Sequence, residues 1–353
     1  MDTPAPERLL VRLPNWIGDV VMATPALAAL RRHWPATHIT VGGPAHCLPL
    51  LSGSSLFDSF LELPRRNVAG WAGLLASSRL VASGHFNQGV LLTNSFSSAL
   101  VLALARVPAR AGYRGGGRGA LLTASLSHPR EPGLHRLPTP MVEYYFRLLE
   151  HLGVPRGDHH YQLETTAEDE LQADEWLQRQ GLSEAHPLVG FHPGSSFGPS
   201  KLWYADRFAA VADGLAAKAG ARVVVFCGPG ERDLAREIAA VAKSSVVTAA
   251  DDMMSLATLK AVIRRLDLLI STDTGPRHFG PAFDVPTVVL MGSTDPRFTN
   301  TNLSCSDVLR EPVFCSPCQK KVCPIDHRCM TQLTVERVLG QSLKRIVGAT
   351  GGS

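Results

Sequence analysis

A lone aspartate, Asp19, stands where an apolar run gives way to a helical pattern, at the end of the segment 14–19 (Pro-Asn-Trp-Ile-Gly-Asp). Gly18 permits a tight turn, so the sequence predicts a carboxylate in the first helical turn, beside the end of a strand. A single carboxylate there can act as a general base. It can equally be an ordinary acid at a helix N-terminus, which the helix dipole stabilises by about 0.3–1 kcal/mol. Downstream, Thr24-Pro25 predicts a second helix start.

The segment 192–201 carries residues that suit phosphate binding, and it also follows an apolar run. Ser195 and Ser196 offer hydroxyl and backbone N–H donors to phosphate oxygens, and Lys201 adds a compact positive charge. The spacing of a Walker loop is absent. The segment is either a phosphate site or an ordinary loop between a strand and a helix, and these residues alone leave both interpretations open.

Two further loops contain candidate contacts for a nucleotide. In the segment 271–278, Asp273 stands beside a helix start at Thr-Gly-Pro, where Gly275 permits close approach and the proline is placed as the first helical residue. The N–H groups of such a helix start suit a diphosphate. Glu231, in a glycine-rich turn after another strand, can accept hydrogen bonds from ribose hydroxyls. An ordinary turn is the alternative for Glu231.

Cysteines are closely spaced near the C-terminal end of the chain. They are Cys315, Cys318, Cys323 and Cys329, with His327 between the last two. The first pair has the Cys-x2-Cys spacing of a zinc site, whereas the second pair is spaced irregularly. The cluster is therefore a structural zinc site, an iron–sulfur or redox-active site, or a set of reduced thiols that oxidation can join.

The composition describes a folded protein with two cores. The chain has 353 residues, 45% of them apolar and 19% charged, and a net charge of +4. This length suits two domains of about 150–180 residues, and the apolar fraction excludes disorder. The small net charge leads us to expect no nucleic-acid partner. Arginines at positions 106, 110, 114 and 118 suit an anionic ligand or an acidic membrane surface, or form a solvated face.

The N-terminal sequence predicts a protein of the cytoplasm. Acids and prolines stand where a signal peptide has a basic and then an apolar stretch. The longest apolar run, at 99–105, is far shorter than the roughly 20 residues that span a bilayer. In that compartment cysteines remain thiols or bind metal.

Short, continuous apolar runs predict strands that are buried on both faces, as in a parallel sheet covered by helices. The predicted strands are 9–13, 38–41, 89–92, 188–191, 222–226, 266–270 and 287–291. Apolar residues three and four apart predict helices at 26–33, 71–83, 208–219, 233–242 and 256–265. This alternation predicts an α/β fold, with ligands bound outside the carboxyl ends of the strands.

The strand–helix pattern begins again after a polar stretch at 157–166 and an acidic helix, which predicts two domains. The predicted boundaries are an N-terminal domain at 1–165, a linker and helix at 166–184, a C-terminal domain at 185–335 and a final helix at 334–346. We expect two Rossmann-like, doubly wound parallel-sheet domains that face each other across a cleft.

Six segments together resemble the bacterial lipopolysaccharide heptosyltransferases of glycosyltransferase family 9, most nearly the type II enzymes. The segments are 15–19, 93–96, 112–115, 141–143, 193–201 and 272–275. They occur in the family's order within residues 9–345. The resemblance implies a GT-B fold in which the N-terminal domain binds the glycolipid acceptor and the C-terminal domain binds ADP-heptose. It also implies an inverting transfer onto the first heptose of the inner core.

The resemblance assigns roles to matching positions, with Asp19 as the catalytic base. The donor contacts that it implies are Ser195, Ser196, Lys201, Glu231, Asp273, Thr274, Gly275 and His278, and the acceptor contacts are Asn94, Ser95, Arg114 and Arg118. Pro276 and Arg277 depart from the small or apolar residues that members commonly have there. No carboxylate pair suited to a metal-bridged diphosphate is apparent, so we expect no cofactor in catalysis. The lipid acceptor makes peripheral contact with the inner membrane an expectation.

Two other classes of function remain open. One is a different GT-B enzyme, such as a nucleotide-sugar epimerase, which needs no acceptor. The other is a non-catalytic protein that binds a nucleotide sugar or a glycolipid, which shows no turnover with any acceptor. A zinc-dependent interaction module around the C-terminal cysteines is a further alternative.

Overall fold

The computed structural model describes residues 5–63, 70–130 and 137–350 of the chain. These divide into two compact units, Met1–Glu164 with Arg297–Thr301 and Thr165–Pro296 with Asn302–Ser353. The segment 166–184, predicted as a linker with a helix, belongs to the second unit in this division and contains an acidic helix.

The first unit alternates strands and helices. Its elements are β1 (Arg8–Arg12), α1 (Ile17–His33), β2 (His38–Gly43), α2 (Cys47–Leu50), β3 (Ser59–Glu62), α3 (Gly70–Ser83), β4 (Gln88–Leu91), α4 (Phe96–Leu104), β5 (Ala109–Tyr113), β6 (Ala124–Leu126) and α5 (Met141–Glu150).

The second unit repeats the alternation. Its elements are α6 (Ala167–Arg179), β7 (Leu188–His192), α7 (Ala205–Ala219), β8 (Arg222–Val225), α8 (Arg232–Val241), β9 (Val246–Thr248), α9 (Leu256–Arg264), β10 (Leu268–Thr272), α10 (Phe279–Ala282), β11 (Thr287–Leu290), β12 (Ser306–Leu309), α11 (Arg328–Thr331) and α12 (Val335–Thr350). Short 3-10 turns lie at Arg118–Leu121, Pro199–Lys201, Gly275–His278 and Pro296–Phe298.

Each unit is built on a six-stranded parallel sheet with the same strand order. The first sheet runs β3-β2-β1-β4-β5-β6 and the second β12-β11-β10-β7-β8-β9. When the strands of each unit are counted from one, both orders are 3-2-1-4-5-6, which is the doubly wound Rossmann arrangement. The predicted α/β class is therefore confirmed. The direction of winding reverses between β1 and β4 and between β7 and β10, which is where such sheets bind ligands.

The central strands are apolar because both of their faces are covered. In β7 and β10 every residue is buried, and their side chains join a core with Phe208, Val211 and Leu339 from the covering helices. Burying one such side chain contributes about 1.5–3 kcal/mol. The predicted strand 266–270 begins two residues later than expected. Leu266 still closes the last turn after α9, since its N–H donates to Ile263 O.

Helix α1 is continuous from Ile17 to His33, so the predicted second start at Thr24-Pro25 is wrong. Proline inside a helix removes the N–H that would bond to the carbonyl four residues earlier. Here the hydroxyl of Thr24 donates to that carbonyl, Val21 O, at 2.7 Å. The side chain thus supplies the missing hydrogen bond, and the helix passes through the proline.

Among the described helices, none combines the length and the apolar character that crossing a bilayer requires.

Candidate active site

Loops that carry the candidate residues follow the strands on either side of both winding reversals. In the first unit, β1 and β4 are paired in parallel, and the segments after them contain Asp19 and Asn94. In the second, β7 and β10 are paired in parallel, and the segments after them contain Lys201 and Asp273. Because the carboxyl ends of paired parallel strands meet at one sheet edge, each unit gathers its candidates at one place.

Asp19 is the third residue of α1 and lies in the first turn after the N-cap residue Trp16, as predicted. Its side chain is half-buried. Helix α1 packs against α5, which contains Tyr145. Burial raises the pKa of the Tyr145 phenol well above its ordinary value, and the negative charge of Asp19 raises it further. The carboxylate is therefore partly withdrawn from solvent while remaining reachable from it.

Arg12, at the end of β1, holds the loop that leads to Asp19. Its Nη1 donates to Leu13 O at 2.5 Å and to Gly42 O at 3.3 Å. Its Nη2 donates to Asn15 Oδ1 at 2.9 Å. Burial lowers the pKa of Arg12 to about 10, so the side chain remains charged at neutral pH. Sequence reasoning missed this residue, although an arginine within the apolar run 9–13 is itself a signal.

Asn94 and Arg118, two predicted acceptor contacts, share one hydrogen-bond network. Arg118 is buried, and its guanidinium donates to the backbone O of Asn94 and, at 2.7 Å, to its Oδ1. Asn94 Nδ2 donates to the Tyr144 hydroxyl at 2.9 Å. Arg118 Nη2 also lies 3.3 Å from His128 Nε2, which must accept, so the ring carries its proton on Nδ1 beside Tyr144. Arg118 thus orients Asn94.

The other two predicted acceptor contacts lie apart from this network. Ser95 caps α4, where its Oγ accepts from Ser98 N at 3.1 Å. Arg114 is exposed, and its Nε donates to Ser127 Oγ at 2.7 Å. Both residues remain near the carboxyl edge of the first sheet, in the segments after β4 and β5.

A pocket of about 380 Å³ opens in the first unit between α3, α4 and the end of β1. Its polar lining includes Arg12, Asn15 and Ser95, and its apolar lining includes Trp71 and Phe96. The volume falls in the range of small-ligand sites, about 300–1,000 Å³. The loop before Asp19 therefore borders a cavity large enough for a small ligand.

In the second unit, Lys201 and Asp273 form a buried ion pair. Lys201 Nζ lies 2.7 Å from Asp273 Oδ2 and also donates to the Asp273 carbonyl at 2.7 Å. Arg277 Nε lies 3.3 Å from the other carboxylate oxygen. Thr294, in the loop after β11, donates to Oδ2 at 2.5 Å. Sequence reasoning missed Thr294, whose signal is a run of small residues, 292–294, after an apolar strand.

This cluster carries a net positive charge. Burial opposes ionisation of Asp273, but the charges of Arg277 and Lys201 outweigh it and hold the pKa of the carboxyl below its ordinary value. Burial and the charge of Arg277 lower the pKa of His278 well below its ordinary value, so that ring is neutral at neutral pH. Two cations against one anion leave one positive charge at the edge of the sheet.

Glu231 reaches from the loop after β8 to the loop after β7. A Cβ placed on Gly194 would come within 2.0 Å of the Glu231 carboxyl carbon, so a side chain at this position would displace the carboxylate of Glu231. The carboxylate accepts from Gly228 N at 2.8 Å. Thr272 donates to Gly194 O at 2.5 Å and ties in the loop after β10. The loops after β7, β8 and β10 therefore contact one another.

The remaining predicted donor contacts lie in the same two loops as the ion pair, after β7 and after β10. The Ser195 hydroxyl is buried and has no hydrogen-bond partner within the described part of the chain, while Ser196 is exposed. Thr274 caps the 3-10 turn Gly275–His278, in which the proline is the second residue rather than the first as predicted. Thr274 and Gly275 are half-buried, so this helix start remains accessible.

The four clustered cysteines and His327 line a cavity of about 70 Å³. Across the described ranges, no three His, Cys, Asp or Glu side chains are arranged to hold a metal ion. Structural zinc remains one of the three interpretations of this cluster, and elemental analysis of the purified protein will test it.

The same cysteine-rich segment contacts the loop that carries the lysine. Ser200 N donates to Lys321 O at 3.1 Å, and Ser200 Oγ donates to Lys320 O at 2.5 Å. The ring of His327 donates to Ser200 O at 2.9 Å. Gly198 allows this approach, because a Cβ there would lie 2.5 Å from Lys321 O. The cysteine-rich segment therefore holds Ser200 in place, and Ser200 directly precedes the ion-paired Lys201.

Comparison with known proteins assigns this chain to a family. The model of glycosyltransferase family 9 (heptosyltransferase) matches residues 75–328. The chain belongs to glycosyltransferase family 9. It is therefore a glycosyltransferase, and the predicted resemblance is confirmed. Family membership also favours an enzyme over the alternative of a non-catalytic binding protein.

Similar proteins agree with this family 9 assignment. Lipopolysaccharide heptosyltransferase 2 of Salmonella typhimurium is 29% identical over 314 residues, which cover 83% of this chain and 84% of that protein. A family 9 glycosyl transferase of Veillonella parvula superposes with a TM-score of 0.83 at 24% identity, covering 97% of both chains. Escherichia coli ADP-heptose LPS heptosyltransferase II gives 0.79 at 24% identity, covering 97% of this chain and 99% of that one. The predicted GT-B fold is confirmed.

Proposed function

We propose that this family 9 enzyme transfers heptose from ADP-heptose to the heptosyl-Kdo-lipid A inner core of lipopolysaccharide, with inversion at the anomeric carbon. One observation carries the proposal: the winding reversal of one sheet holds a single half-buried carboxylate, and that of the other holds a net-positive loop cluster. The names of the Salmonella and E. coli relatives support heptose, ADP and lipopolysaccharide as the substrate classes.

In the proposed reaction, Asp19 accepts the proton of the acceptor hydroxyl as that oxygen bonds to the anomeric carbon. The bond from this carbon to the diphosphate breaks on the opposite face, so the configuration inverts. The transition state has oxocarbenium character, by analogy with glycoside hydrolysis. The bonding electrons leave with ADP, whose growing charge is stabilised by Lys201, Arg277 and the N–H groups at Gly275.

The remaining residues are proposed to position the two substrates. Glu231 accepts from the ribose hydroxyls of the donor, and Ser195 donates to a phosphate oxygen. Asn94, oriented by Arg118, contacts the acceptor sugar. Arg114 is exposed and suits an anionic lipid surface, so we propose peripheral contact with the cytoplasmic face of the inner membrane.

ADP release from ADP-heptose, with and without a heptosyl-Kdo-lipid acceptor, tests the proposal. We expect release that depends on the acceptor and persists in chelator, because the proposed steps use protein groups alone. Loss of activity in chelator that magnesium restores would contradict metal-independent transfer. An isomerised nucleotide sugar formed without acceptor would indicate an epimerase. Absence of turnover with every acceptor would indicate a binding protein.

Lys201→Ala is expected to weaken ADP binding about 10- to 100-fold, because it removes a charge-assisted contact to the diphosphate. Calorimetric titration with ADP measures this change. Lys218→Ala is the matched control, since Lys218 is an exposed lysine of α7 in the same unit. Equal ADP affinity in Lys201→Ala and wild type would place the diphosphate elsewhere.

A further inference from the structure

Arg12 is a buried cation with no carboxylate partner among the described residues, although the Cys47 thiol lies close enough to interact with its charge. Its side chain is 8% exposed, and every acceptor that it contacts is a neutral oxygen. A buried charge that lacks an opposite charge is strongly unfavourable, and an incoming anion relieves that cost.

Arg12 also lines a cavity that a ligand can enter. The pocket of about 380 Å³ contains Arg12 and Asn15 together with the hydroxyls of Ser95 and Ser97. Trp71, which is 74% exposed, adds an aromatic surface to the same cavity. A cation, an amide, hydroxyls and an aromatic face together suit a sugar that bears an acidic group.

We propose that Arg12 binds an anionic oxygen group of the acceptor, a carboxylate or a phosphate, in this pocket, and thereby makes the enzyme selective for an acidic sugar. The proposal rests on the proposed function and specifies its acceptor. Arginine suits this task because its planar fork donates two parallel hydrogen bonds to such a group. Arg12 lies seven residues before the proposed base, on the same strand–loop–helix connection, so anchoring the acid fixes the acceptor near Asp19.

The test compares three acceptors with wild type and Arg12→Gln. The acceptors are the intact heptosyl-Kdo-lipid, the same lipid with its carboxylates reduced to alcohols, and the same lipid with its phosphates removed. We expect the wild type to lose about 10- to 100-fold in kcat/KM on the derivative that lacks the bound group. Arg12→Gln loses the same factor on the intact acceptor and no longer distinguishes that derivative. The derivative that shows this coupling identifies the anion.

Controls separate ligand binding from folding. The donor KM stays at its wild-type value in Arg12→Gln, and Arg8→Gln, at the opposite end of β1, leaves all acceptor constants unchanged. If Arg12→Gln fails to fold, Arg12→Lys keeps the charge without the fork, and a reduced distinction between acceptors is expected.

Equal losses on all three acceptors, or wild-type discrimination by the variants, would overturn the anion site and leave Arg12 a structural residue. A wild-type protein that turns over none of the acceptors would overturn the proposed function as well.

Discussion

Asp19→Asn is expected to lower kcat about 10²- to 10⁴-fold while the dissociation constant of ADP stays at the wild-type value. The amide keeps the size of the carboxylate but cannot accept the proton of the acceptor hydroxyl. The proposed donor cluster is built from other loops, so nucleotide binding is not expected to depend on residue 19. Steady-state kinetics with both substrates and a calorimetric titration with ADP give the two quantities.

Asp206→Asn is the matched control for this prediction. Asp206 is also an aspartate in the first turn of a helix, α7, and it is exposed. Both variants lose the same favourable interaction with a helix dipole, about 0.3–1 kcal/mol at most sites. A normal kcat for Asp206→Asn beside a collapsed kcat for Asp19→Asn assigns the effect to chemistry. Near-normal turnover by Asp19→Asn would leave residue 19 as a helix-terminal acid.

Asp273→Asn is expected to lower the free energy of unfolding by about 3–5 kcal/mol, because it leaves the buried cations of Lys201 and Arg277 without a counter-charge. Their side chains are only 12% and 5% exposed, so solvent does little to screen them. Urea denaturation at neutral pH measures the loss. The ADP affinity of the folded Asp273→Asn variant shows separately whether the loop after β10 still binds the nucleotide.

The stability difference between wild type and Asp273→Asn has a defined pH dependence. Since the pKa of Asp273 is lower in the folded protein than its ordinary value of 3.8, its contribution is fully present above that value. The contribution falls as the pH drops below about 3.8 towards the folded pKa, so the two denaturation curves converge in acid. Asp251→Asn is the control, because its partner Arg236 is on the surface and little loss is expected. A pH-independent difference would contradict the ion-pair explanation.

The hydrophobic pattern predicted seven of the eight described inner strands and missed the four edge strands together with the inner strand β5, whose first two residues are only half-buried. The strands β1, β2 and β4 and the strands β7, β8, β10 and β11 are buried on both faces, so they read as continuous apolar runs. The strands β3, β6, β9 and β12 form the sheet edges and are only half-buried, and β5 lies beside an edge. Their mixed sequences carry no run long enough to mark a strand.

The sequence predicted which loops form the candidate site, but it did not predict which side chains contact one another there. Glycines, small hydroxyl residues and lone charges after apolar runs pointed to the segments around Asp19, Lys201 and Asp273. The pairing of Lys201 with Asp273 joins positions 72 residues apart, and no local pattern records it. Arg277 stood out only as a departure from the family, and the structure explains it as the second cation on Asp273.

Ser200 attaches its loop to a stretch of chain 120 residues further on, and this attachment constrains which amino-acid replacements and deletions the sequence tolerates. Three hydrogen bonds link it to Lys320, Lys321 and His327. A deletion in that stretch removes them together and frees the neighbouring lysine. Homologues that shorten or lose the thiol-rich stretch are therefore expected to carry compensating replacements at positions 198 and 200, so the length of that stretch and these two positions are expected to covary.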